Sequence, residues 1–409
     1  MTISINKHIN MCNIFILAYC GRVAITAYEA NRYSALLLGV VIAISLYYFI
    51  YANRYYHLPK FMKILNVLIC ILSIYGIFHI MFDPPVKDIS GNLENKSLYL
   101  QTALESLLPI YAFYVFTRKG QLTLEKIKFL IPFFIALSIF QFTQMHQKRL
   151  LLAILKGSSQ EEFTNNTGYI FVSLLPLLAL PFKRKWLQYL FWGICIVYVL
   201  IAVKRGAILI TGISVIFFLW YSMKTASLKN KWKIVMLSVV LLAVGCLALM
   251  KQLESSTYFQ NRLESTRKGD LNGREMVYTP IINNFFDDTG IVGVLIGKGA
   301  NSTIPITGFR AHNDWLQFLS DQGILGVILY LIYFICLYHL WKRNKKDQVV
   351  GITIGLFFLI NFLRTLFSMS YADYSMYATM AIGYSVAYLD NKKINKNICY
   401  ENCNTLSER

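Results

Sequence analysis

The stretch RAHNDWLQFLSDQGILG, residues 310–326, joins a polar loop to an apolar run. A Ser, Thr, Asp or Asn just before such a run marks a helix start, so Asn313 or Asp314 is expected to be the cap, with His312 just outside it. The imidazole then faces water at the mouth of the helix. Gly323 and Gly326, three residues apart, fall on nearly one helical face, and that spacing predicts close approach by a second helix.

Working outward, the composition sets the class. Of 409 residues 56% are hydrophobic, 15% aromatic and only 15% charged, and the mean hydropathy is +0.48. A soluble domain of this size is less apolar, so the chain reads as all-α and polytopic in a membrane. A net charge of +19 would point to nucleic acid in a soluble chain. Here the Lys and Arg residues cluster in short loops between apolar runs, so membrane lipids are the expected partner and nucleic acid is not.

Apolar runs of about the twenty residues a bilayer requires fall at 11–29, 33–52, 62–82, 98–117, 126–145, 165–182, 186–203, 206–223, 232–250, 315–340, 349–368 and 371–389. That predicts about twelve helices. Alternate loops are basic: Arg54, Lys60 and Lys63; Arg118, Lys119, Lys126 and Lys128; Lys183, Arg184 and Lys185; Lys224, Lys229, Lys231 and Lys233; Lys342, Arg343, Lys345 and Lys346; Lys392, Lys393 and Lys396. The positive-inside rule puts these in the cytoplasm together with both termini. The expected division is one integral membrane domain, 1–409, with a large outer loop at 251–314 before the tenth helix and a cytoplasmic tail at 390–409. No cleavable signal peptide is expected. The loop 83–97 is acidic, and 146–164 is expected to hold a short interfacial helix.

The cysteines in apolar runs are expected to be buried free thiols, and Cys399 and Cys403 lack the neighbours a zinc site or structural disulfide needs. Neither a metal-ligand cluster nor a Gly-rich phosphate loop is present, so no metal or cofactor is expected. His312 is the one histidine in the large outer loop. Four cationic segments share its side: Lys204-Arg205 in a tight hairpin, Arg274, Arg310 and Arg364. Val277, Ile281 and Phe285 share one helical face, which sets Arg274 near a helix N-terminus. Guanidinium forks bind phosphate oxygens in two-pronged fashion. Alternatively, Arg205 and Arg364 snorkel to headgroups, and Arg262, Arg267 and Arg274 are solvated loop charges. Within the spans, charge at bilayer depth costs at least about 2.5 kcal/mol. Arg22 and Glu105 are therefore expected to pair, whereas Asp321 lies too far along the helix to touch His312.

The segment His312-Asn313, nine residues, then Gly323-Ile-Leu-Gly326 resembles the signature of the O-antigen ligase and polymerase superfamily. Lys204-Arg205-Gly206-Ala207 and Gly273-Arg274-Glu275-Met276-Val277-Tyr278 are similar to that family's arginine segments, with Tyr278 where Trp is common. The resemblance implies a bacterial inner-membrane glycosyltransferase. It would move a glycan from an undecaprenyl-pyrophosphate-linked donor to a glycan or glycolipid acceptor on the periplasmic face, with inversion and without metal. It further implies His312, Arg205 and Arg274 as catalytic residues, with Lys204, Arg310, Asn313 and Arg364 binding pyrophosphate or glycan, and Gly323 and Gly326 as structural motif. A ligase acting on lipid A-core and a repeat-unit polymerase are both compatible with these motifs. A flippase of lipid-linked sugars is the reading from another class, and the lack of internal repeats counts against it.

Overall fold

The computed structural model describes residues 10–26, 31–84, 95–155, 165–225, 228–255, 260, 264, 274–287, 290–368, 370–371 and 375–407. All regular elements among them are helices: α1 (Met11–Thr26), α2 (Asn31–Tyr55), α3 (Lys60–Phe82), α4 (Ser97–Leu107), α5 (Pro109–Arg118), α6 (Leu124–Leu155), α7 (Gly168–Leu178) and α8 (Lys185–Ile201). They continue with α9 (Arg205–Thr225), α10 (Leu228–Ser255), α11 (Arg274–Asp287), α12 (Ile291–Ile296), α13 (Thr303–Thr307), α14 (Asp314–Asn344), α15 (Gly351–Phe367) and α16 (Met376–Ser407).

Every apolar run expected to span overlaps one of these helices. Among the described residues five segments are long and apolar enough to cross a bilayer: Tyr33–Tyr55, Lys60–Phe82, Leu124–Lys148, Arg205–Thr225 and Asp314–Asn344. Met11–Ile25, Gly168–Leu178, Lys185–Ile201 and Gly351–Phe367 are shorter apolar helices. The run 98–117 is broken, because Pro109 cannot donate a backbone hydrogen bond and α5 restarts there. No separate helix occupies 146–155. Instead, α6 runs on without interruption to Leu155; residues 156–164 lie outside the described set, as do 85–94 and most of 256–273.

The centre of the bundle is α5, α7 and α16. Residues Pro109 to Thr117 of α5 are all buried, and α7 is nearly so. Gly383 on α16 makes the close helix approach, since a Cβ there would meet the Ile110 carbonyl of α5 at 2.7 Å. Around this centre the outer helices turn apolar side chains outward, with Phe129 82% and Trp232 75% exposed. So much exposed apolar surface suits lipid and not water. Where a charge enters a span it is matched, and Arg22 of α1 pairs with Glu105 of α4 as expected. Cys12, Cys20 and Cys195 are buried free thiols, whereas Cys70 and Cys246 are exposed on helix faces.

The basic loops gather at one end. The Arg118 guanidinium lies 5.0 Å over the Tyr56 ring and near Asp390. Lys392 pairs with Asp347 at 2.7 Å, Tyr221 donates to the Lys345 carbonyl, and Lys128 lies near Lys185.

At the other end α14 begins. Asn313, with extended backbone (φ −150°, ψ 119°), accepts from Trp315 N and Leu316 N at 2.9 and 3.2 Å, so it is the cap. Asp314 in the first turn and Lys342 and Arg343 in the last suit the helix dipole. The glycine pair behaves differently from the sequence expectation. Gly323 leaves the helix altogether (φ 64°, ψ −161°), splitting α14 in two. The C-terminal end of the short helix α12 and its cap Gly297 fill the space: the Leu295 carbonyl and Gly297 amide lie 2.6 Å from where a Gly323 Cβ would sit. The break exposes the carbonyls of Ser320 and Asp321, and these accept from Lys298 N and Gly299 N at 2.9 and 3.1 Å. Gly326 faces Gln322 and Phe318 of its own helix across the kink.

Candidate functional site

The residues flanking His312 are pinned on both sides. Before it, Ala311 is buried and its amide donates to Gln317 Oε1 at 3.0 Å. Gln317 Nε2 donates to both oxygens of Asp321 at 2.9 Å. Asp321 also accepts from Ser302 N at 3.0 Å and Ser302 Oγ at 2.9 Å. Gln317 and Asp321 are both fully buried. After it, the buried Asp314 carboxylate accepts from Ser370 N at 2.9 and 3.0 Å and from the Tyr330 hydroxyl at 2.6 Å. Between these anchors His312 adopts φ 50°. That left-handed conformation costs a residue with a side chain about 1–3 kcal/mol, and it persists where the surroundings over-determine it.

Three sequence segments deliver cations to this ring. Lys204 and Arg205 sit where α9 starts, directly after Val203, a β-branched residue at φ 51°. Gly206 threads between the Tyr169 hydroxyl and Phe367, whose Cβ would lie 3.1 Å from a Gly206 Cβ. Phe367 closes α15, and its carbonyl accepts from Arg274 Nη2 at 3.0 Å. Arg274 itself opens α11, whose Ile281 and Phe285 are buried as the spacing predicted. Arg310 is two residues from the histidine.

The consequence is electrostatic. His312 is exposed at its rim, but burial of part of the ring lowers its pKa from the ordinary 6.5, and the charges of Lys204, Arg274 and Arg310 lower it further. Neither Arg274 nor Arg310 makes an ion pair with a carboxylate among the described residues. Cations that crowd one another in this way suit a multiply charged anion.

His312, Lys204, Arg274 and Arg310 therefore come together, while Arg205 follows Lys204 as the first residue of α9 and is not among the charges that act on the ring. Arg364 lies deeper. It is 1% exposed, stands 4.9 Å over the Tyr169 ring and reaches Ser173 Oγ at 3.4 Å. With Asn166, Thr167, Tyr169, Ser173 and Ser375 it lines a cavity of about 200 Å³. Asn313 spends its carbonyl oxygen on the helix cap. Gly323 and Gly326 shape the kink.

Gln317, Asp314, Tyr169 and Ser302 were not singled out from sequence as site residues. Gln317 carried a usable signal: it is a polar residue four positions after the cap, on the face of the helix that turns inward. Tyr169 and Ser302 become visible only through long-range contacts. Among the described residues no group of three His, Cys, Asp or Glu side chains is placed to hold a metal ion.

Among curated proteins none matches the chain. The family model described as O-antigen ligase matches residues 189–331, a segment that contains every expected site residue except Arg364. Across that segment, 143 of the 409 residues, the chain is similar to the O-antigen ligase family.

Proposed function

We propose that this protein is an inverting glycosyltransferase that moves a glycan from undecaprenyl pyrophosphate to an acceptor sugar, lipid A-core or a similar glycolipid, at the periplasmic face of a bacterial inner membrane. The observation that carries the proposal is the gathering of Lys204, Arg274 and Arg310 around His312. In this reading Arg205 and Arg274 grip the pyrophosphate. The bond that breaks joins the anomeric carbon to a pyrophosphate oxygen, and its electron pair leaves with the lipid pyrophosphate. The bond that forms joins the same carbon, from the opposite face, to the acceptor hydroxyl oxygen, whose proton passes to His312. A lowered pKa keeps the imidazole neutral near pH 7, as a base requires. Charge that develops on the leaving group meets cations already in position. Sidedness follows from the positive-inside rule applied to the basic end, which assigns that end and both termini to the cytoplasm.

The test is purified protein given a synthetic lipid-linked oligosaccharide together with either lipid A-core or more of the same donor. New linkages to lipid A-core support the ligase, and linkages between donor units alone make it a polymerase with the same donor chemistry. No linkage under either condition, with intact protein, overturns the transferase and favours a transporter of lipid-linked sugars.

A further inference from the structure

A second pocket, of about 360 Å³, lies at the same end of the bundle. It is lined by His79 and Asp83 from the end of α3, Asn284 from α11, and Lys298, Asn301 and Ser302 from the segment that fills the Gly323 kink. We propose that this pocket is a carbohydrate subsite that holds one hydroxyl-rich sugar ring of the acceptor glycan. The word acceptor rests on the transferase reading; the carbohydrate class rests on the pocket.

Its volume is near the lower bound of small-molecule sites, about 300 Å³, which suits a single ring. The charges in its wall decide the chemistry. The Asp83 carboxylate opposes a phosphate or another anion, and the Lys298 ammonium opposes a cation. A sugar hydroxyl satisfies both, since it donates to a carboxylate or amide oxygen and accepts from an ammonium or amide nitrogen. Pro84, Ala300, Pro305 and Ile306 complete the lining and offer an apolar surface to the C–H face of a ring.

The polar groups are held in place before any ligand arrives. His79 is 3% exposed, and its Nδ1 lies 2.6 Å from Asp83 Oδ2. Lys96 donates to the Asp83 carbonyl. Lys298 Nζ donates to Asn284 Oδ1 at 2.7 Å, while its main-chain amide is fixed on the Ser320 carbonyl. Such preorganisation removes ordering cost from binding. The pocket also shares a frame with the candidate base. Ser302 in its wall is bonded to Asp321, Asp321 to Gln317, and Gln317 to the amide of Ala311, the residue before His312. Sugar ring and imidazole are thus held by opposite ends of one hydrogen-bonded chain.

The experiment uses full-length protein in lipid nanodiscs and titration calorimetry. The probe is the acceptor's glycan without pyrophosphate: the delipidated core oligosaccharide for the ligase, and the oligosaccharide released by mild acid from the host's own lipid-linked glycan for the polymerase. Wild type should bind it, and Lys298→Met and Asp83→Asn should each weaken binding at least about tenfold, as loss of a charged hydrogen bond implies. Inorganic pyrophosphate serves as the folding control, with Arg274→Lys as the variant that weakens it. Lys298→Met leaves the main-chain bond to Ser320 in place, so it carries the test if Asp83→Asn misfolds. Equal oligosaccharide affinity in wild type and Lys298→Met, or no binding by wild type, overturns the subsite. In a transfer assay the same variant should raise the half-saturating acceptor concentration about tenfold, with the donor's as internal reference. Linkages formed with unchanged acceptor saturation would sink the subsite and leave the transferase standing. Binding in this pocket without linkage formation would do the reverse.

Discussion

The two ends of the bundle treat their cations in opposite ways. At the basic end several cations meet groups that satisfy them: Lys119 lies 4.1 Å over the Tyr51 ring, Arg118 over Tyr56, and Lys392 on Asp347. At the other end Lys204, Arg274 and Arg310 converge on a histidine, a group they disfavour in its charged form. Backbone strain follows the same division. Val203, Asn301 and His312, the residues with side chains at positive φ among those described, all belong to the histidine end. Charge that serves only to orient a chain in a bilayer needs no special backbone. Charge that must meet a ligand at a fixed point does, and strained residues are held there by buried anchors such as Asp314 and Asp321.

The strongest way to break this contrast is to remove the ring around which one end is built. His312→Ala should leave the protein folded and inserted while transfer falls by roughly 10²–10⁴, the range of a positioned acid or base. Full activity of the purified variant would take the histidine out of the mechanism. Arg274→Lys should follow at about a hundredfold. An ammonium can keep the charge but not both the bond to the Phe367 carbonyl and a second prong toward phosphate. A rate equal to wild type would reduce the site to a simple requirement for charge.

How far the sequence carried this picture depends on the range of the interaction. Helices, basic loops and the Asn313 cap are local, written in runs and in neighbours two or three residues apart. The Arg22 and Glu105 pair was legible because unmatched charge in a span is too costly to leave alone. Gly323 was legible as a point of close approach, which the end of α12 makes, but not as a break in α14, because glycine serves equally for helix contact and for φ values other residues avoid. The bond from Ser302 to Asp321 joins the segment after α12 to α14 in a way that no local pattern specifies. Arg364 was placed near the right end of its helix, but its burial against Tyr169 and Ser173 depends on α7, nearly two hundred residues earlier.

Two smaller effects sharpen the contrast from within the strained end. Gln317→Leu keeps the volume but strands the Ala311 amide and the Asp321 oxygens that Gln317 holds, at about 1–3 kcal/mol for each buried group left unsatisfied. Thermal unfolding in detergent should show that loss, together with reduced transfer, because the chain before His312 is released. An unchanged melting temperature would mean that water replaces the side chain without penalty. The histidine's environment also fixes a sign for pH. Nearby cations disfavour the imidazolium, so removing one raises the pKa back toward 6.5 and moves the acid limb of the rate profile to higher pH. Among the charges, Lys204 acts most strongly and Arg310 least, so Lys204→Gln should shift the limb further than Arg310→Gln. A shift to lower pH in either variant would contradict the placement of these charges.

The smallest expected effect is the control at the opposite end. Lys392→Gln removes an ion pair with Asp347 in which the lysine is 61% exposed. Solvent screens such a pair, and exposed pairs contribute less than about 1 kcal/mol. Burial tends to raise the Asp347 pKa, yet the bond from Lys392 and the main-chain amides of Val349 and Val350 bring it below the ordinary carboxylate value. With those amides still donating, the carboxylate stays ionised at neutral pH when the lysine is gone. Folding, insertion and transfer should therefore match wild type closely, with at most a weak loss of stability as pH falls through the lowered carboxylate pKa. A large loss of transfer in Lys392→Gln would mean that the two ends are mechanically coupled, and the division between orienting charge and ligand-binding charge would fail.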